Sequence, residues 1–230
     1  MNERSAAIKS IEDQIEKALW DFEVHEKLDQ ALDVYKDAEA KLTSLQVEQS
    51  ELEFAEVQRV LSYCLMRQGN ILRQLGKPQE ALALSDREIA AARASGDEIT
   101  LGRSLMSNGT NLVVAGELEQ GLAMLEQARE QFEKGDSFDH RQGLGWYWLL
   151  LADLANAGMI TKSPQEVIEI TTRALEILEP IENWPGVARG YAARVKAHET
   201  LGETEEAVKD LEAQKLFEDK ITPTEGNSID

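Results

Sequence analysis

The chain has 230 residues, 42% of them hydrophobic and 29% charged, with 24 basic residues against 43 acidic ones and a net charge of −19. That balance is normal for a folded soluble domain, and its sign sets the chain as a whole against DNA, RNA and anionic membrane surfaces. A single cysteine, Cys64, excludes an internal disulfide, and no apolar run reaches the roughly 18 residues of a membrane-spanning helix.

Met1 to Trp20 carries charges throughout and lacks the apolar centre of a signal peptide. With the lone thiol, this points to a reducing, cytoplasmic setting. From Asn2 to Val24, Ile8, Ile11, Ile15, Leu19 and Phe22 recur at three- and four-residue steps, which predicts an amphipathic helix. Leu28 to Leu45 forms the second, striped by Ala31, Val34, Tyr35, Ala38 and Leu42. Ser50, with Glu53 three residues on, has the spacing of a capping box and starts a third helix that runs to Leu75. Pro78 opens a fourth, where its missing N–H costs nothing, and Ala94-Ser95-Gly96 ends it. Asp97 caps the next helix, to Ala115, followed by Glu117 to Lys134.

Gly135-Asp136 repeats the Gly96-Asp97 junction 39 residues later. Ser137 to Ala157 is a helix rich in aromatics, with Trp146, Tyr147 and Trp148 in a row. Ser163-Pro164-Gln165-Glu166 unites an N-cap, a Pro at the first helical position and a capping-box Glu, and that helix stops at Pro180. Asn183-Trp184-Pro185-Gly186 reads as a turn. Gly186 to Leu201 and Glu203 to Asp219 are the last pair. No strand signal occurs, and residues 220–230 read as a flexible tail.

Ten helices thus fall into five hairpins, over residues 3–47, 50–95, 97–134, 137–180 and 186–219, within one domain over 1–219. In each hairpin the first helix is A and the second B. A small or short residue early in each B helix falls at Ala31, Ala81, Gly121, Val167 and Ala207, in steps of 50, 40, 46 and 40 residues. Gly76, Gly116 and Gly202 each stand five residues before one of these positions, at the A–B turn. Recurrence in phase marks a stacked array.

These residues resemble the tetratricopeptide repeat. That family wants a small residue midway along helix A, matched by Gly69 and Gly109, and Gly at the turn. It wants Ala at two places in helix B, the second matched by Ala38, Ala128 and Ala174. Small residues there let two helix axes approach. The long steps are similar to the longer-helix variety of kinesin light chains and bacterial regulators. The resemblance implies an all-α fold, a right-handed α-solenoid of about five hairpins. The chain departs from the pattern at Leu151 and Val167, at the longer turn from Gly158 to Val167, and at Glu88 and Gln214. The last two replace the second Ala. Gln214 suits an end helix with nothing stacked on it.

The resemblance also implies a concave groove lined by A helices. Carried over residue by residue, its lining is Tyr63, Met66, Asn70 and Arg73 in hairpin two, and Arg103, Met106, Thr110 and Val113 in hairpin three. Hairpin four gives Gly145, Trp148, Ala152 and Ala155, and hairpin five gives Arg189, Ala192, Lys196 and Glu199. In hairpin one it gives Asp13, Glu16, Trp20 and Glu23, an acidic mouth. Hairpins two to five contribute Arg73, Arg103, Arg189 and Lys196 against one acid, Glu199, which suits an extended peptide or partner segment carrying acidic groups. Met66, Met106 and Trp148 would be its apolar contacts, with Trp148 alternatively filling the gap of hairpin four. Asn70 matches a family carboxylate clamp, but Met66 stands where its Lys should be.

The chemistry of catalysis is sparse. His25, His140 and His198 lie on different hairpins, Gly143 and Gly145 lack the surroundings of a phosphate loop, and no nucleophile–base set assembles. No cofactor, metal or catalytic residue is therefore expected. The reading is a non-enzymatic interaction module. A regulatory or sensor subunit, or a scaffold self-assembling as a homodimer through end helices around Ile11 or Phe217, are its alternatives.

Overall fold

The computed structural model describes residues 2–221, and every regular element among them is a helix. The tail expected over 220–230 lies outside the described residues, except for Lys220 and Ile221, which complete the last helix. The chain falls into two compact units divided between Gln131 and Phe132.

In the first unit, α1 (Glu3–Ala18) starts where the Asn2 side chain accepts the Ser5 N–H, and it buries Ile8, Ile11, Ile15 and Ala18. A π-helical turn, Leu19–Glu23, follows directly, closed by Val24 N–H donating to Leu19 O, five residues back, at 2.9 Å. α2 (Leu28–Ser44) packs Ala31, Tyr35, Ala38 and Leu42 onto α1. α3 (Phe54–Gln74) begins four residues later than Ser50. The expected capping box does not form: Glu53 stands at the N-cap of α3, and its carboxylate accepts from Asn2.

The fourth helix is broken into α4 (Pro78–Leu82) and α5 (Ser85–Ser95). At the break, Leu84 N–H donates three residues back to Ala81 O, and the Ser85 hydroxyl turns to Asn108. α6 (Glu98–Val114) is capped by Asp97, which accepts the Thr100 N–H at 2.8 Å, and α7 (Leu118–Phe132) returns beside it. Gly76 and Gly116 make their turns at φ +73° and +93°, in the left-handed region that favours glycine. α6 and α7 approach through reciprocal glycines. A Cβ on Gly109 would lie 2.9 Å from Gly121 O, and one on Gly121 would lie 2.7 Å from Gly109 O.

In the second unit, α8 (Phe138–Asn156) is capped by Ser137, not Asp136, with the Ser137 side chain accepting the His140 N–H. Asp136 is exposed, 3.6 Å from Arg141. α9 (Pro164–Leu178) starts on the complete Ser163/Glu166 capping box. α10 (Trp184–Leu201) takes in Trp184 and Pro185, expected as a turn, because Asn183 caps it by accepting the Gly186 N–H. α11 (Thr204–Ile221) closes the described chain. Leu149, Leu175, Leu178 and Val187 form one core here, and Ala152, Val167, Ile170, Ala193 and Ala197 a second. Burying an aliphatic side chain of this size contributes about 1.5–3 kcal/mol. Pairs α1/α2, α3/α5, α8/α9 and α10/α11 are among the intra-hairpin contacts, and within the units α3 also meets α6 and α8 meets α10, so these A helices lie side by side.

Candidate binding faces

On the first unit the A-helix face is built by α3 and α6, joined by a polar seam. Ser62 and Ser104 share a hydrogen bond at 2.8 Å, Ser107 Oγ donates to Asn70 Oδ1 at 3.2 Å, and Arg73 Nη1 donates to Asn111 Oδ1 at 2.8 Å. Spacings of eight and three residues on α3, and of three and four on α6, put them on one stripe of each helix. Of the residues expected to line a groove, Tyr63, Met66, Asn70, Arg73, Arg103 and Met106 are half-buried. Thr110 is buried, its hydroxyl donating to the Met106 carbonyl at 2.7 Å. Burial pushes the Tyr63 phenol up to about 12.

Beside them, Glu23 accepts from Tyr35 Oη at 2.9 Å and from Arg67 Nε at 3.1 Å, so it points toward α2 and α3. Trp20, one turn from Glu16, is 64% exposed. Cys64 is fully buried and donates to the Tyr35 carbonyl. Burial pushes its thiol up to about 12, which leaves no reactive thiolate at neutral pH.

On the second unit, α8 and α10 enclose an open cavity of about 330 Å³ lined by Asp153, Asn156, Arg189, Ala192, Ala193 and Lys196. Arg189 and Lys196 are exposed cations at two points of its rim. Seven residues of helix separate them, about 10 Å along the axis. Each is engaged by the chain itself. Arg189 Nε donates to Asp153 Oδ2 at 2.7 Å, and Lys196 Nζ donates to the Asn156 carbonyl at 2.6 Å, at the end of α8 where orphan carbonyls concentrate. Asn156 Nδ2 closes the floor on Ala193 O at 3.1 Å. Burial holds the Asp153 carboxyl above its ordinary range, with Arg189 opposing.

The structure therefore brings Arg189 and Lys196 to one cavity but places two other expected contacts elsewhere. Ala152 is fully buried in the Val167–Ile170 core. Trp148 is half-buried, edge-on to Tyr147 with centroids 5.0 Å apart, and the Arg173 guanidinium lies 5.2 Å from its ring centroid. Gly145 faces the Leu178 side chain. Asp153 and Asn156 were missed. Their signal was opposite charge and polarity on successive A helices, at separations of 36 and 40 residues from Arg189 and Lys196. Ile11 is 7% exposed, inside the core, and Phe217 stacks on Trp184 and Tyr191 at 5.4 and 5.7 Å, so neither offers a free outer face. Among the described residues no three His, Cys, Asp or Glu side chains gather as a metal site, and no helix is long and apolar enough to cross a membrane.

No protein-family model and no curated protein matches the chain. Its likeness is to solved structures. BtubC (BKLC) from P. vanneervenii matches over 100% of this chain and 98% of its own, at 12% identity and a TM-score of 0.62. The TPR-like repeats of a putative kinesin light chain from Podosopora anserina match over 97% and 100%, at 15% identity and a TM-score of 0.58. A point variant of those repeats matches over 96% and 99%, at 15% identity and a TM-score of 0.59. Identities this low speak to fold, and the agreement extends over the whole chain. In fold, the chain is a tetratricopeptide-type repeat protein, an all-α solenoid of helical hairpins.

Proposed function

We propose that the chain is a non-enzymatic protein-interaction module that takes a peptide or partner segment on its A-helix faces. The observation that carries this reading is the α8–α10 cavity. It is open, floored by Ala192 and Ala193, and flanked by two exposed cations about 10 Å apart. Arg189 and Lys196 rest on Asp153 and a helix-terminal carbonyl, acceptors that carboxylates of a partner would replace. An acidic segment is thus the occupant the cavity favours. Tyr63, Met66, Asn70, Arg73, Arg103 and Met106 form the corresponding face of the first unit, with Thr110 beneath it.

An array of acidic peptides and their charge-reversed counterparts, probed with the wild type and with Arg189→Ala/Lys196→Ala, tests this. The wild type is expected to bind acidic members with an affinity that falls as salt rises, and the double variant to lose them while keeping its melting temperature. Equal binding by both proteins would remove the cavity from the reading. A second reading, self-assembly through the last helix, is favoured by the exposed Val208, Leu211 and Leu216 of α11. Light scattering on wild type and Leu211→Glu would separate a dimer held there from a monomer.

A further inference from the structure

The polar seam of the first unit contains one group that binding does not explain. Glu88 of α5 is 1% exposed, and its Oε1 has no hydrogen-bond partner. From α6 it meets Ser104 and Asn108, both neutral. Ser104 already shares its hydroxyl with Ser62, and Asn108 accepts from Ser85. From α3 the charged group facing it is Arg73. Along α5 its neighbours one turn away, Leu84, Ser85, Ala91 and Ala92, carry no charge, and Asp86, Arg87 and Arg93 lie on the exposed side. Arg73 donates to Asn111 instead of Glu88. Asn111 is itself fully buried, with its Nδ2 unpartnered.

A buried carboxylate with a bare oxygen is costly, whereas the neutral acid is tolerated. Burial accordingly pushes the Glu88 carboxyl up to about 8, against the pull of Asn108, Ser104 and Arg73. Burial also holds the Arg73 guanidinium below its ordinary value. Two ionisable groups face one another in a desolvated seam without pairing. The alternative arrangement has the guanidinium leave Asn111 for the bare carboxyl oxygen.

We infer that Glu88 is a proton switch for Arg73. The neutral acid leaves the guanidinium on Asn111, and release of the proton to solvent draws it onto the carboxylate. Arg73 belongs to the proposed binding face, so ionisation of Glu88 would withdraw a cation from that face. That consequence rests on the reading of the face, whereas the switch does not.

The test uses the whole chain without a partner. In carbon-13 spectra of the glutamate carboxyls, one resonance should titrate near pH 8 and be missing from Glu88→Gln. The pH profile of stability follows from the direction of the shift. The folded carboxyl holds its proton more tightly than the unfolded one, so its contribution is complete below about pH 4.5 and lost as pH rises through about 8. The wild-type melting temperature should therefore fall between about pH 4.5 and pH 8. The fall should be shallower in Glu88→Gln, which should melt above wild type at the alkaline end. In Arg73→Met it should continue to a higher pH than in wild type, because the carboxylate has lost its cation. The switch is overturned if every glutamate carboxyl titrates well below neutrality. A Glu88→Gln profile parallel to wild type, or an Arg73→Met profile whose fall ends at the same pH as in wild type, also overturns it. If Glu88→Gln does not fold, the carboxyl titration of the wild type decides alone. Because no partner enters, failure of the binding-face reading would leave these results unchanged.

Discussion

Replacing Gly121 by Ala sets two effects against each other. Inside a helix Ala is favoured over Gly by about 0.5–1 kcal/mol, so on an open helical surface the change would stabilise. Gly121 is instead at the crossing of α6 and α7. A Cβ there would lie 2.6 Å from Val113 Cγ2, 2.7 Å from Gly109 O and 2.9 Å from Val113 N. The valine methyl can rotate aside, but the other two atoms belong to the backbone of α6, so the helices must part by several tenths of an ångström. That separation loosens Leu125, which is 1% exposed and packs over Gly109. Overpacking of this kind costs about 1–3 kcal/mol. After the gain in helix propensity, a net loss of about 1–2 kcal/mol remains, or roughly 2–8 °C in melting temperature for a chain of this size. The assay is thermal unfolding followed by far-ultraviolet circular dichroism, with the exposed neighbour Gln120→Ala as control, expected within about 0.5 kcal/mol of wild type. If Gly121→Ala melts at or above wild type, propensity has won and the close approach of α6 and α7 is wrong.

Two further perturbations probe the second unit. At the start of α9, Ser163→Ala should cost about 1 kcal/mol in urea unfolding. The Glu166 carboxyl, held down to about 2 chiefly by the Ser163 backbone N–H, stabilises above about pH 4.5 and loses that contribution as pH falls toward 2. The stability gap between wild type and Glu166→Gln should therefore close with acidification, and a gap that persists at the acid limit would contradict the capping box. Between α10 and α11, Arg194 donates to both Asp210 oxygens at 2.7 Å. Asp210 is buried, and His198 Nε2 lies 3.5 Å from it. Arg194→Ala strands that carboxylate and should cost about 3 kcal/mol, part of which Asp210→Asn in the same chain should restore. An unchanged urea midpoint in the single variant would show the pair to be energetically idle.

The fold was legible because its signals are steric and local. Gly76, Gly116 and Gly202 mark turns that other residues enter only with strain, and Ala31, Ala81 and Ala207 mark places where two helices touch. These requirements recur in phase and survive in a single sequence. Tertiary contacts escaped the reading. Ser50 lost its cap as Asn2, roughly fifty residues away, took the Glu53 carboxylate. The helix expected from Pro78 onward broke where Ser85 found Asn108 on another hairpin. The faces were legible only in outline. Counting along α10 put Arg189 and Lys196 together, but the same counting on α8 chose Ala152, which the core claims. Half a turn of registry decides between lining and burial, and composition does not reveal it. Glu88 was visible from the start as an acid at a small-residue position, yet only the packing of α3, α5 and α6 around it gives that departure a physical meaning.

The π-helical turn of the first hairpin has a consequence for how its length tolerates change. Such a turn is an α-helix carrying a surplus residue, and each residue rotates the helix by about 100°. Everything beyond Leu19 therefore faces a different compass point from the one that counting from Ile8 assigns, which is how Glu23 comes to join Tyr35 and Arg67. Deleting one residue between Leu19 and Glu23 would give a smoother helix and a worse joint. The hydrogen bonds along the axis would become regular, while Glu23 swung away from the phenol on α2 and the guanidinium on α3. In this stretch an irregularity acts as a spacer, and aligning this hairpin with the others by fixed period requires a one-residue gap between Ala18 and Val24.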